Sequence, residues 1–217
     1  MVSAQKYFFK NHSFALCLGF AGLLAFSSCS TKDTNDVAQA GKNVAKEPGL
    51  QGKWSTACGS AGAFDASGKS TYIFEPLKYE KSLNLYKDSS CNETLAIARY
   101  EGEFKVGSGD DLADGVKRVD LTPKKLILKA NSEGGVNAMN LIKLCGISDW
   151  ALNTERDVTA GAVDGKCLSE PINQVQYDVY KLADNKLSFG KTFITGAPNK
   201  EEQRPTKVSD QVLVPAQ

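Results

Sequence analysis

Short segments of alternating apolar and polar residues, separated by turn-forming residues, follow one another from Gly52 onward. Such alternation places one face of a strand against a core and the other in solvent. The segments are Gly52–Cys58, Ser70–Phe74, Ser82–Tyr86, Leu95–Val106, Val116–Leu121, Leu126–Ala130, Val175–Leu182 and Lys186–Phe189. Short strands at close spacing predict an all-β fold, an antiparallel barrel or sandwich of about eight to ten strands.

The sequence also predicts a hairpin turn, a break between two strands and a short helix. A tight hairpin is expected at Asp184 and Asn185, because both residue types tolerate the positive φ that such turns require. Pro123 is expected to separate the two strands on either side of it. At most one or two short helices are expected, and the candidate is Val136–Cys145, with Gly146 as its cap. The apolar stripe of that helix would consist of Ala138, Leu141, Ile142 and Cys145.

The first 28 residues have the parts of an export signal. Lys6 and Lys10 form a positive start, and Phe14–Phe26 is an apolar stretch of 13 residues. That stretch is shorter than the roughly 20 residues that cross a bilayer as a helix. A basic start, a short apolar core and small residues at the exit predict a signal peptide over residues 1–28.

The exit of this segment, Leu24-Ala-Phe-Ser-Ser-Cys29, resembles the bacterial lipobox, in which the closing cysteine is lipidated and becomes the first residue. The resemblance implies a diacylglyceryl group and an N-linked acyl chain, such as palmitate, on Cys29. Two or more acyl chains hold a protein stably in a membrane. Ser30, where an aspartate would imply the inner membrane, implies the outer membrane in a cell that has one. The alternative is ordinary cleavage after Ser27 and secretion without a lipid.

Two regions follow the signal. Residues 29–50 are polar and low in bulky apolar residues, which predicts a lipidated N-terminus and a tether. Residues 51–217 are expected to form the barrel domain. Loss of Lys6 and Lys10 changes the balance of basic against acidic residues from 26 against 25 to 24 against 25, a net charge of −1. With no basic stripe, nucleic acid is not an expected partner.

The one histidine, His12, lies in the expected signal peptide, so the mature protein would have none. Its absence excludes the usual forms of Ser-His-Asp and Cys-His catalysis and the commonest metal ligand. No motif favours an enzyme, a metal site or a cofactor. Asp110, Asp111 and Asp114 faintly resemble a calcium loop, but Leu112 stands where an oxygen ligand is needed, so a solvated turn is expected.

Four cysteines remain beyond Cys29, and an even number in an exported chain predicts disulfides. They are Cys58, Cys91, Cys145 and Cys167. Four cysteines allow three pairings. The pairs Cys58–Cys91 and Cys145–Cys167 are favoured because each closes a local loop. The alternative, a four-cysteine zinc site, lacks the short spacing of such sites.

The tripeptide Gly52-Lys53-Trp54, at the start of the first strand, resembles the G-x-W signature of lipocalins and other calycins. In that fold the tryptophan closes one end of the barrel, so Gly52 and Trp54 would be a structural signature. Together with the cysteine pairs and the segment Cys145–Trp150, the chain looks like the lipocalin-like lipoproteins of bacteria. The resemblance implies a barrel that binds a small apolar ligand, with ligand-binding residues that the sequence does not identify.

Alternative functions stay open at this point. The barrel interior could be packed, in a structural lipoprotein whose partner is an envelope protein. Periplasmic lysozyme inhibitors are also small disulfide-bonded barrels, and Ser67–Tyr72 resembles their S-G-x-x-Y loop with one residue too many. Tyrosines on strands could line a cavity or simply pack: Tyr72, Tyr79, Tyr86, Tyr100, Tyr177 and Tyr180.

Overall fold

The strands of the domain close into a barrel in which each strand pairs with the next along the wall. The computed structural model describes residues 49–61, 66–107, 112–167, 170–191 and 197–217. Eight antiparallel strands form the wall, and two short strands, β2 and β7, lie outside it. The strands are β1 Gly52–Thr56, β2 Gly59–Ser60, β3 Ser67–Glu75, β4 Lys78–Tyr86, β5 Thr94–Val106, β6 Lys117–Ala130, β7 Glu155–Asp157, β8 Gln176–Ala183, β9 Lys186–Phe189 and β10 Val212–Pro215.

Strand β1 closes the barrel because it pairs on both sides. Trp54 lies opposite Tyr72 of β3 and opposite Pro215 of β10. The remaining wall strands pair in the order β3, β4, β5, β6, β8, β9 and β10, so it is an up-and-down barrel. Closure removes the free edges through which β-sheets aggregate. The predicted antiparallel all-β fold is confirmed.

Alternation along the strands decides which side chains fill the barrel. In β3, Ser70, Tyr72 and Phe74 are buried, while Thr71 and Ile73 between them are half-buried on the outer face. The hairpin between β8 and β9 turns at Asp184 and Asn185, with φ of 51° and 57°. Both positive φ angles belong to the tight turn predicted from the sequence.

Pro123 does not separate two strands, and that prediction was wrong. Strand β6 runs without a break through Pro123, which lies opposite Gly102 at a register shift in β5. A proline is tolerated at such an irregularity because no ladder hydrogen bond is required from its nitrogen. Gly102 provides the space, since a Cβ there would lie 2.4 Å from the Thr122 carbonyl oxygen.

The predicted helix exists, with different bounds and a different buried face. Helix α1 is Glu133–Leu141, capped by the Ser132 side chain, which accepts a hydrogen bond from the Gly135 amide at 3.1 Å. The helix buries Gly135 and Met139, whereas Leu141 is 84% exposed. Ala138 and Ile142 are also exposed, so of the predicted stripe only Cys145 is buried. A second helix, α2, is Thr159–Val163, and single 3₁₀ turns are Ala113–Gly115, Leu144–Gly146 and Glu201–Gln203.

The two ends of the barrel differ. The Trp54 end holds the hairpins β3–β4, β5–β6 and β8–β9, around a cluster of buried side chains. These are Leu50, Trp54, Tyr72, Phe74, Tyr79, Phe104, Val119, Leu121, Tyr180, Leu187, Phe189 and Leu213. The opposite end, called here the loop end, holds the connections that follow β1, β4, β6 and β9.

A second cluster lies at the loop end, where the connection between β6 and β8 packs against the inner face of β6. We call this stretch the 131–175 connection. The cluster contains Tyr100, Leu126, Leu128, Ala130, Met139, Cys145, Trp150, Val158, Ala162 and Ile172. Both predicted disulfides form at this end, Cys58–Cys91 between two loops and Cys145–Cys167 within the connection.

The strands, both clusters and both disulfides lie within residues 49–217, so this part carries its own core. Among the described residues, Leu50 is the first that joins this core, at the Trp54 end. The expected signal peptide, Cys29 and the tether up to residue 48 lie outside the described residues, as do Asp110 and Asp111. Within the described ranges, no helix is both long and apolar enough to cross a membrane.

Candidate ligand site inside the barrel

A lysine lies inside the barrel between two tyrosines. Lys81 of β4 is opposite Tyr72 of β3 and Tyr100 of β5, so the register places all three side chains on the inner face. The Lys81 Nζ lies 5.7 Å from the centre of each tyrosine ring. Only 6% of Lys81 is exposed. An ammonium over aromatic rings is favourable, but a buried cation also needs a counter-ion.

Glu170 provides that counter-ion. Its carboxylate forms an ion pair and a hydrogen bond with Lys81 Nζ. Glu170 belongs to the 131–175 connection, between the disulfide cysteine Cys167 and the buried Ile172. The Glu170 amide donates to the Tyr100 hydroxyl at 3.3 Å. The connection therefore places a carboxylate on a cation that belongs to the barrel wall.

The electrostatics of this group follow from burial and from the ion pair. Burial lowers the pKa of Lys81, but the Glu170 carboxylate, with the Tyr72 and Tyr100 hydroxyls, raises it by more, so the net pKa is raised. Burial, and then the Glu170 charge, raises the pKa of Tyr100 to about 12. Lys81 is therefore a cation and Tyr100 a neutral hydrogen-bonding group in the folded protein.

Asp178 of β8 is a second buried acid on the inner face. It is 3% exposed, and burial raises the pKa of its carboxyl to about 7. Backbone amides of Val179, Gly190 and Lys191 oppose this shift by donating to the carboxyl, the first at 2.8 Å. Gly190 is required there, since a Cβ would lie 2.7 Å from Asp178 Oδ1.

Beyond Lys81, towards the loop end, small side chains surround two leucines of the inner wall. Leu83 lies opposite Ser70 and Ala98, and Leu85 lies opposite Gly68 and Ala96. Leu83 and Leu85 are half-buried, and neither hydrophobic cluster of described residues includes them. On the other side of Lys81 the same strands carry large rings, Tyr72, Phe74, Tyr79 and Phe104. The aromatic half of the barrel is filled, and at the loop end the second cluster covers the inner face of β6 and packs against Ala96 and Ala98. Small residues line the loop end only on β3 and β5, on either side of Leu83 and Leu85.

Two buried polar atoms add to the polarity of the interior. The Ser70 hydroxyl and the Gln176 Nε2 find no hydrogen-bond partner within the part of the chain that the structure describes. Gln176 is opposite Leu121 at the start of β8, on the same face as Asp178. A buried donor without a partner costs about 1–3 kcal/mol, so these atoms are suited to contact a ligand or a water molecule.

The signature residues from the sequence lie at the filled end, away from Lys81. Trp54 is buried, and its indole N–H donates to the Leu50 carbonyl at 2.9 Å. Gly52 has a φ of 118°, a conformation that favours glycine. Ser67–Tyr72, which resembles an inhibitor loop in the sequence, lies within β3 with Tyr72 buried. Four of the six tyrosines are buried and two, Tyr86 and Tyr177, are half-buried.

Sequence reasoning missed Lys81, Glu170 and Asp178. The alternation of β4 contains the signal for Lys81, because it places this residue in phase with Tyr79, Leu83 and Leu85. Glu170 gives no such signal, since it belongs to an irregular segment whose path depends on tertiary packing. No group of three or more His, Cys, Asp or Glu is placed to hold a metal in the described residues.

No protein-family model matches the chain, and no curated protein matches its sequence.

Proposed function

We propose that the protein is a lipid-anchored lipoprotein of the cell envelope, in the outer membrane where one exists, whose lipocalin-like barrel binds a small, largely apolar molecule. The binding site lies inside the barrel at the loop end. The role is binding and not catalysis, in keeping with a chain whose one histidine precedes Cys29.

The observation that carries this proposal is the change in side-chain size along the inner wall. Leu83 and Leu85 are half-buried and have only small neighbours on the adjacent strands. Ala96 and Ala98 pack against the second cluster, whereas Leu83 and Leu85 belong to neither cluster. Because protein interiors are normally packed to the density of organic crystals, the incompletely covered surface of these two leucines suits an apolar partner. Binding sites of this kind are mostly apolar, with a few polar groups that orient the ligand.

The buried charges support the same proposal. Moving a charged pair out of water is expensive, and an apolar pair of similar volume often gives an equally stable or more stable fold. A barrel selected only for packing does not need Lys81 and Glu170 in its interior. Polar groups next to an apolar wall are expected where an amphiphilic molecule has to be recognised.

The support for a lipid anchor comes from the sequence alone, since Cys29 lies outside the described residues. The positive start, the apolar stretch Phe14–Phe26 and the lipobox-like Leu24–Cys29 support lipidation of Cys29. A tether of polar residues would then connect the lipid to the barrel.

The test is native mass spectrometry of the full-length protein purified from its own envelope, followed by identification of any molecule released on denaturation. We expect a non-covalent small molecule on the wild type and its loss in Ala98→Leu, which fills the wall beside Leu83. Ala138→Leu, on the exposed face of α1, is the matched control and should retain the molecule. Wild-type protein that carries no small molecule would overturn the proposal.

The second candidate is a structural or interaction lipoprotein with a packed barrel. The observation in its favour is the Trp54 end, where twelve buried side chains fill the interior. Under this alternative Ala98→Leu would overpack the interior and lower the stability, and co-purification would recover an envelope protein and no small molecule.

A further inference from the structure

We propose that Lys81 binds the carboxylate of an aliphatic monocarboxylate, and that Glu170 occupies this position in the ligand-free protein. The inference deepens the proposed function and rests on it, because it names the chemical class of the barrel's ligand. The carboxylate site consists of the Lys81 ammonium and the Tyr100 hydroxyl.

The contacts of Glu170 indicate which chemistry the site holds. Its carboxylate is paired with Lys81, whose Nζ lies 5.7 Å from the ring centres of Tyr72 and Tyr100. The cation and both rings belong to adjacent wall strands, where the register fixes them. Glu170 belongs to the 131–175 connection, 89 positions from Lys81 along the sequence. The wall supplies the cation, whereas the carboxylate comes from outside the wall and is replaceable by one from a ligand.

The position of the apolar wall sets the direction of the ligand. Leu83 and Leu85 follow Lys81 on the same face of β4, towards the loop end. Leu85 lies four residues beyond Lys81, or about 13 Å at about 3.3 Å per residue. A carboxylate on Lys81 therefore places an extended aliphatic chain of medium length along Leu83 and Leu85.

The charge of the head group distinguishes a carboxylate from other ligands that have the same alkyl chain. An alcohol makes no ion pair with Lys81, and an alkylammonium ion meets a cation of the same sign. A carboxylate replaces the charge that Glu170 supplies, so the buried ammonium keeps a counter-ion throughout. The site therefore selects by head group, and the apolar wall binds the chain.

The experiment measures binding of decanoate, decanol and decyltrimethylammonium to the full-length protein by native mass spectrometry and by the change in melting temperature. Glu170→Gln removes the internal carboxylate and retains the size of the side chain. The double variant Lys81→Met/Glu170→Gln removes both charges, which avoids an unpaired buried cation. Glu155→Gln, which removes an exposed carboxylate on β7, is the matched control.

We expect Glu170→Gln to bind decanoate about tenfold more tightly than the wild type. The reason is competition: if Glu170 occupies the site in about nine-tenths of the ligand-free molecules, its removal makes the site available about ten times as often. Decanoate should also raise the melting temperature of this variant by more than that of the wild type. The double variant should lose the preference for decanoate over decanol. Glu155→Gln should behave as the wild type does.

Two results would overturn the inference in different ways. Equal affinity for decanoate and decanol in the wild type and both variants would leave the apolar site intact and remove the role of Lys81. Binding of none of the three probes by any variant, the folded double variant included, would overturn the proposed function as well. Preferential binding of decyltrimethylammonium would assign the recognition to Glu170 and contradict the carboxylate site.

Discussion

The Arg204 guanidinium donates a hydrogen bond of 2.8 Å to the main-chain carbonyl of Asp178. The same Nη1 donates to the Val119 carbonyl at 3.1 Å, and Nη2 donates to Asp120 Oδ1 at 2.7 Å. The guanidinium also lies 5.0 Å from the centre of the Tyr177 ring. Arg204 thus connects the segment after β9 to both β6 and β8 through hydrogen bonds, next to the buried Asp178.

Replacing Arg204 by methionine should lower the free energy of unfolding by about 2–3 kcal/mol, because charge-assisted hydrogen bonds at a side chain only 9% exposed are lost. Arg204→Lys should recover less than half of this, since an ammonium cannot reproduce the planar donor geometry. Urea unfolding followed by circular dichroism measures both. Lys207→Met, at an exposed position, is the control, and equal losses for Arg204→Met and Lys207→Met would contradict the role of Arg204.

Trp54→Ala should cost about 3–5 kcal/mol, through lost burial and the cavity left at the Trp54 end. A domain of this size has about 5–15 kcal/mol in total, so the melting temperature should fall sharply. Trp54→Phe should cost less, because the ring remains and the indole hydrogen bond to Leu50 is lost. Thermal and denaturant unfolding measure both variants. A change in the free energy of unfolding of less than about 0.5 kcal/mol for Trp54→Ala would contradict a structural role for this residue.

Gly102→Ala should destabilise the barrel by about 1–3 kcal/mol, the usual cost of overpacking. The added Cβ would lie 2.4 Å from the Thr122 oxygen and 3.0 Å from the Pro123 Cα, both of them backbone atoms. Gly59→Ala is the matched control, since nothing lies within 4 Å of its Cβ. Differential scanning calorimetry compares the melting temperatures of the two variants. Identical values would contradict the prediction, because they would mean that β5 and β6 can move apart at the register shift without loss of stability.

The raised pKa of Asp178 gives stability a specific dependence on pH. Its folded-state pKa of about 7 lies above the ordinary pKa of 3.8 for an aspartate side chain, so between these two pH values the folded state binds more protons than the unfolded state. This contribution is complete below about pH 4 and is lost as the pH rises towards about 7. Asp178→Asn, which remains neutral, should match the wild type at pH 4 and exceed it in stability at pH 7. The measurement is the free energy of unfolding of both proteins between pH 4 and pH 7. An equal dependence on pH in the two proteins would contradict the raised pKa of Asp178.

Acylation of Cys29 is tested by metabolic labelling with an alkyne fatty acid. The wild type should be labelled and should fractionate with the membrane, whereas Cys29→Ser should carry no label. The reason is that the proposed attachment point of the diacylglyceryl group is the Cys29 thiol, which the serine variant lacks. Equal labelling of both proteins, or release of unmodified wild-type protein, would contradict the anchor.

The all-β fold and the disulfides were predictable because their signals are local. Alternation identified most of the wall strands, and Asp184 and Asn185 marked a hairpin turn through their tolerance of positive φ. The cysteine pairing followed from loop length, and the structure has the same two pairs.

The errors arose where tertiary context overrides a local rule. Pro123 fits inside a strand only because Gly102, 21 positions earlier, leaves room at the register shift. In α1 the helical stripe pointed to Leu141 and Ile142, but the helix buries Gly135 and Met139 against the barrel. Gly135 approaches the Leu95 backbone so closely that a Cβ there would lie 2.1 Å from its oxygen, a constraint that periodicity does not contain.

Both disulfides lie at the loop end, so the two halves of the barrel depend differently on the oxidation of thiols. The cluster at the Trp54 end contains no cysteine among the described residues, and three hairpins build that end from neighbouring strands. That half can assemble from hydrophobic burial and local pairing before any thiol is oxidised. The loop end has both covalent links, and the Cys145–Cys167 bond restrains the connection that carries Glu170, three positions after Cys167.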